Sequence, residues 1–149
     1  MWSGPNHCQG GHDSDDSVYE QFIVDGGGDL VQGNNGNDEI RLGDGNDSAS
    51  GGRYRDFIFG GNGEEDMFGE KGDDYFSDNQ ADVIDHDRIC GGDDTDRGDT
   101  HGSNDKTDIE DGDGSDSYYG QDGNNDLPIE KDFGDLARED GGENCPPAP

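Results

Sequence analysis

Six carboxylates recur at a fixed interval: Asp29, Asp38, Asp47, Asp56, Glu65 and Asp74 each follow the last by nine residues. Two residues after each stands an apolar one, in turn Val31, Ile40, Ala49, Ile58, Met67 and Phe76. Glycines keep the same frame, as in Gly33 and Gly36, Gly51 and Gly52, and Gly69 and Gly72. A carboxylate that returns beside glycine is a ligand pattern. Glycine permits positive φ and close backbone approach, so carbonyl oxygens can converge next to the acid. Donors made only of oxygen suit a hard cation, and Ca²⁺ takes six to eight of them at roughly 2.3–2.6 Å.

The charge balance leads to the same ion. The 149-residue chain carries 39 Asp and Glu against 9 Lys and Arg, a formal charge of −30, and only 24% of it is apolar. Such a composition predicts disorder unless something offsets the repulsion. With so few basic side chains, the counter-charge must be bound cation. About ten Ca²⁺ ions would bring the net charge to about −10, an ordinary value for a soluble protein. Folding and metal binding would then be one event. Nucleic acid and anionic membrane are excluded as partners, because both are held by basic surface. No run is long and apolar enough for a membrane insertion, and the opening MWSGPNHC has no signal-peptide core.

The acids must be positioned by turns, and the intervening residues by strands. Alternation across each acid-x-apolar-x unit sends the apolar side chain inward and its neighbours outward, giving a very short strand with one core residue. The best copies read GNNGNDEIR (33–41), GGNGEEDMF (60–68) and GEKGDDYFS (69–77). After residue 77 the phase slips. Asp82 with Ile84 comes one residue early, and Asp87 with Ile89 follows after five. Regularity resumes in GGDDTDRGD (91–99) with Asp96 and THGSNDKTD (100–108) with Asp105. After a two-residue insertion it continues in DGDGSDSYY (111–119) with Asp116, and GQDGNNDLP (120–128) puts Asn125 in the acid position.

This frame is similar to the nonapeptide GGxGxDxUx of the repeats-in-toxin (RTX), hemolysin-type calcium-binding family. The resemblance implies an all-β chain folded as a parallel β-roll, a β-helical solenoid in which two nonapeptides make one coil. Several Ca²⁺ ions would lie in the turns between coils, eighteen residues apart. Asp29, Asp47 and Glu65 would then ladder along one edge, and Asp38, Asp56 and Asp74 along the other. As calcium ligands the frame nominates Asp29, Gly33, Asn35, Asp38, Asp44, Asp47, Gly51, Asp56, Gly60, Asn62, Glu65, Gly69 and Asp74 in the regular block. Beyond it come Asp82, Asp87, Gly91, Asp93, Asp96, Asp105, Asp111, Asp113, Asp116, Gly120, Asp122 and Asn125. The organisation expected is an N-terminal segment or cap (1–23), the regular block (24–77), an irregular coil (78–90), a looser block (91–128) and a tail or second cap (129–149).

Rival motifs fit less well. An EF-hand starting at Asp111, with Asp113 and Ser115, has Asp116 where glycine is obligatory. His7, Cys8 and His12 are zinc-type ligands without the paired spacing of a zinc site. No nucleophile-and-base grouping stands out from the repeat, so no enzyme activity is expected. Phe57 and Tyr75 share an outward position one coil apart, and Phe59 and Phe68 take the other outward position on opposite faces. They suit an aromatic ladder better than a glycan or matrix contact. Three cysteines leave an odd thiol, and Cys8 and Cys145, near opposite ends, could join subunits head to tail. The role expected is that of an extracellular, calcium-stiffened rod, used as scaffold, adhesin segment or end-to-end filament subunit. The alternatives are a calcium-triggered folding and export module of a larger secreted protein, and a glycan-binding module.

Overall fold

The computed structural model describes residues 7–10, 21–24, 26–78, 86–100, 106–113, 117–120 and 148. Twelve strands follow one another: β1 (His7–Gln9), β2 (Gln21–Ile23), β3 (Leu30–Asn35), β4 (Glu39–Asp44), β5 (Ser48–Arg53), β6 (Phe57–Asn62), β7 (Asp66–Lys71), β8 (Tyr75–Asp78), β9 (His86–Asp93), β10 (Arg97–Thr100), β11 (Lys106–Asp113) and β12 (Ser117–Gly120). Odd strands form one parallel sheet in the order β1-β3-β5-β7-β9-β11, and even strands form the other in the order β2-β4-β6-β8-β10-β12. Each coil therefore contributes one strand to each sheet. The expected parallel β-roll is the fold observed.

Register turns the nine-residue phrase into columns. Val31 pairs with Ala49, Ala49 with Met67 and Met67 with Ile89 in the first sheet. Phe22 pairs with Ile40, Ile40 with Ile58, and Ile58 with Phe76 in the second. From Val31 to Ile89 these residues are fully buried and form the core, with Cys8 and Phe22 packed against it at the N-terminal end. The segment 1–23 thus includes two strands of the roll, β1 and β2. One apolar residue per strand suffices because both sheets point their apolar column into the same narrow interior.

Leu42 and Val24 join that core, at 0% and 6% exposure, although the phrase reserves their position for glycine. Leu42 in β4 and Val24, just after β2, fill the second inward position of their coils, where Gly33, Gly51, Gly60 and Gly69 stand elsewhere.

The phase slip is a longer coil, not an end to the roll. From β2 to β8 the strand pairs repeat after eighteen residues, as in Ser48 with Asp66, but Asp66 pairs with Arg88 and Tyr75 with Arg97, twenty-two apart. The extra residues fall between β8 and β9, so Asp87 and Ile89 resume the acid and core columns. Asp82 lies outside the described residues. A second correction concerns β11, whose pairing sets Thr107 opposite Asp87 and Ile109 opposite Ile89. The sequence frame gave that acid position to Asp105, which lies outside the described residues, and its apolar position to Thr107. Placing the insertion before β11 therefore puts Ile109, not Thr107, in register with Ile89.

Candidate metal centres in the turns

Turns from the odd sheet to the even sheet carry Asp38, Asp56, Asp74 and Asp96, and those turns define the first edge. Turns in the opposite sense carry Asp29, Asp47 and Glu65 and define the second, whose column Asp87 continues from the second residue of β9. All eight acids are buried, none more than 3% exposed. This alternation matches the two ladders implied by the resemblance.

Each acid is fixed to the coil before it through the backbone. The amide N–H of Asp38 donates to Oδ1 of Asp56 at 2.7 Å, and that of Asp56 to Oδ1 of Asp74 at 2.8 Å. Asp74 donates likewise to Asp96 at 2.9 Å, Asp29 to Asp47 at 2.7 Å and Glu65 to Asp87 at 2.9 Å. The acid's carbonyl accepts in return from the next coil, as from Phe57 N to Asp38 O at 2.8 Å. These bonds orient one oxygen of the Asp47, Asp56, Asp74, Asp87 and Asp96 carboxylates and leave the other turned into the coil.

Glycine makes room for that second oxygen. A Cβ on Gly33 would stand 2.5 Å from Oδ2 of Asp38, and one on Gly51 or Gly69 would collide with Oδ2 of Asp56 or Asp74. Glycine also lets carbonyls approach between coils: Gly45, at φ +146°, has the carbonyl oxygen of Gly27 where its Cβ would be. The donor set is thus carboxylate and carbonyl oxygen only, which fits a hard divalent cation.

The buried carboxylates call for such an ion. Oδ2 of Asp47, Asp56 and Asp74 has no hydrogen-bond partner among the described residues. Burial pushes the Asp56 carboxyl up to about 8 and the Asp74 carboxyl up to about 9. Amide hydrogen bonds oppose the rise, while the neighbouring acids Asp38 and Glu70, and Asp56, Asp96 and Asp73, add to it. Asp47 is raised for the same first reason. A cation reverses this logic by making the ionised form the favourable one. Calcium held here would supply charge neutralisation and a bridge between coils, with Asp38, Asp56, Asp74 and Asp96 holding it on the first edge and Asp29, Asp47, Glu65 and Asp87 on the second.

Other nominated residues take different places. Gly33, Gly51, Gly69 and Gly91 are buried in the odd sheet, and Gly60 lies in the even one. Asn35, Asp44, Asn62 and Asp93 stand on the outer rim, where Asn62 donates to Asp44 at 2.6 Å and Lys71 to Asp93 at 2.7 Å. They are therefore not drawn into the buried columns. Asp111, Asp113 and Gly120 fall on β11 and β12, whose pairing alone is described. Asp116, Asp122 and Asn125 lie outside the described residues, as does Cys145. Cys8 is a free thiol and Cys90 is disulfide-bonded.

Asp78 was missed. It is fully buried at the end of β8, and one carboxylate oxygen each from Glu65, Asp78 and Asp87 lies within 4.8 Å of the others. Its signal was present in the sequence, since Asp78 follows Gly69 by nine residues and so replaces the first glycine of the phrase with an inward-facing acid.

Comparison with known proteins agrees with the geometry. Residues 23–53 and 43–76 match the family described as the RTX calcium-binding nonapeptide repeat (4 copies), so this stretch of the chain is similar to the repeats of that calcium-binding family, in keeping with its β-roll fold. No curated protein and no solved structure was found to match the chain.

Proposed function

We propose that the chain is a calcium-stiffened rod that works outside the cell as a non-catalytic structural element, a scaffold or adhesin segment able to stack end to end. The observation that carries this reading is the pair of continuous buried carboxylate columns, one on each edge, running the length of the regular block. A solenoid braced this way on both edges resists bending only when its ions are bound. Extracellular modules bind calcium at about 10⁻⁴–10⁻³ M, which suits sites that must fill outside a cell and empty inside one.

Circular dichroism with calcium and with EGTA tests the shared premise, and a spectrum indifferent to chelation would end it. Negative-stain images in calcium test the assembly. Rods longer than one chain are expected, and uniform single chains would favour the export-module alternative. The outward aromatics are engaged with one another, Phe57 with Tyr75 at 5.9 Å and Phe59 with Tyr75 at 6.4 Å, and Arg41 lies 4.4 Å over the Phe59 ring. That favours a stabilising ladder over a glycan platform.

A further inference from the structure

We infer that the two edges take up calcium in order: the edge of Asp29, Asp47, Glu65 and Asp87 loads first, with Asp78 as an additional ligand outside the repeat pattern, and the edge of Asp38, Asp56, Asp74 and Asp96 loads second. The inference rests on the calcium reading above and adds to it an inequality between sites that the phrase itself makes look alike.

Ligand charge comes first. On the first edge each inward position beside the acid is a bare glycine, so the turn holds one carboxylate per coil. On the second edge Asp78 stands in that glycine position and meets Glu65 and Asp87. Gly60 makes the meeting possible: a Cβ there would lie 2.6 Å from Asp78 Oδ1 and 3.4 Å from Glu65 Oε2. Three carboxylates around one ion bind it more tightly than two, because charge count is what sets affinity among all-oxygen sites.

Access and surrounding charge act in the same direction. The second edge opens into a cavity of about 360 Å³ lined by Asp29, Asp47, Glu64, Glu65 and Asp66 and by no basic residue. Oδ2 of Asp47, in a residue 3% exposed and lining that cavity, has no hydrogen-bond partner, so a ligand oxygen is already presented there. Arg88 approaches this edge, but its guanidinium is paired with Asp66 at 2.8 Å. The first edge is flanked by Arg53, Arg55 and Lys71. Arg55 Nε donates to the carbonyl of Asp73 at 3.0 Å, and Lys71 caps Asp93 at 2.7 Å. An incoming cation therefore meets a cavity lined by acids without a basic residue at the second edge, whereas at the first the acids Glu70, Asp73, Asp93 and Asp94 are interleaved with Arg53, Arg55 and Lys71, which partly offset them.

Calorimetric titration of the metal-free full chain with calcium chloride tests the order. Two classes of sites are expected. Asp78→Asn should weaken the tighter class by about tenfold and leave the weaker one in place. The surface double variant Arg55→Gln with Lys71→Gln, which does not touch the core, should tighten the weaker class by about threefold and leave the tighter one unchanged. A single class of sites, or two classes that respond to these variants in the opposite sense or not at all, overturns the order while leaving calcium binding intact. Absence of calcium uptake by the unaltered chain overturns the calcium reading and the order together.

Discussion

The two edges are written with the same nine-residue phrase, yet they house their carboxylates differently. On the first edge the side chains of Asp56 and Asp74 reach into space that Gly51 and Gly69 leave in the preceding strands. On the second, the corresponding positions hold Val24, Leu42, Gly60 and Asp78 in successive coils. Leu42 closes the interior beside Asp47 with hydrocarbon, and Asp78 fills it with a further charge. The first edge is thus a regular ladder, and the second combines apolar core with an acidic cluster. A position that glycine vacates for a ligand in one turn becomes packing or an added ligand in another.

The largest test of this difference is pH. In the unfolded chain the Asp56 and Asp74 carboxyls titrate near 3.8, whereas in the fold they titrate at about 8 and about 9. Between these values the fold retains protons that the unfolded chain has released. The metal-free fold should therefore be most stable in acid, lose stability as pH rises from about 4, and be least stable above about 9. Calcium should invert the trend, since protons compete with it for the same oxygens. Circular dichroism melts from pH 4 to pH 9.5, with calcium and with EGTA, would show both slopes. Asp56→Asn should flatten the metal-free slope more than Asp47→Asn, and equal effects would erase the distinction between edges.

Core truncation comes next. Leu42 is fully buried, so Leu42→Ala should cost about 3 kcal/mol in denaturant unfolding at saturating calcium. A cost under about 1 kcal/mol would mean that the second edge tolerates an open turn as the first does.

A smaller contrast comes from adding a methyl group. A Cβ on Gly69 would strike both the Asp74 carboxylate and the backbone carbonyl of Gly91, whereas on Gly60 its near neighbours are the ends of two flexible acids. Gly69→Ala should then destabilise by about 2 kcal/mol and Gly60→Ala by about 1 kcal/mol, measured in the same way. Reversal of that ranking would place the rigid turn on the wrong edge.

Much of this was legible without coordinates. The spacing from Asp29 to Asp74 gave the nine-residue repeat and the inward column from Val31 to Phe76, while the eighteen-residue coil and the split of acids between two edges came from what the family resemblance implies. The outer-rim position of Asp44 and Asp93 was not legible, since composition gives them the same character as the buried acids. What separates them is the direction in which the backbone turns each side chain, and that depends on the coil having closed. The second block was harder for a related reason. With glycine or threonine in the apolar position, several frames score alike, and only pairing against β9 selects the one that puts Ile109 over Ile89.

The sequence by itself determined the repeat, the need for a divalent counter-charge and the identity of most inward carboxylates, since these follow from spacing and charge count. Tertiary structure alone decided that Asp78 meets Glu65 and Asp87. Those three residues lie as much as twenty-two positions apart and come together only because a lengthened coil still returns to the same column, where Gly60 leaves room for their oxygens.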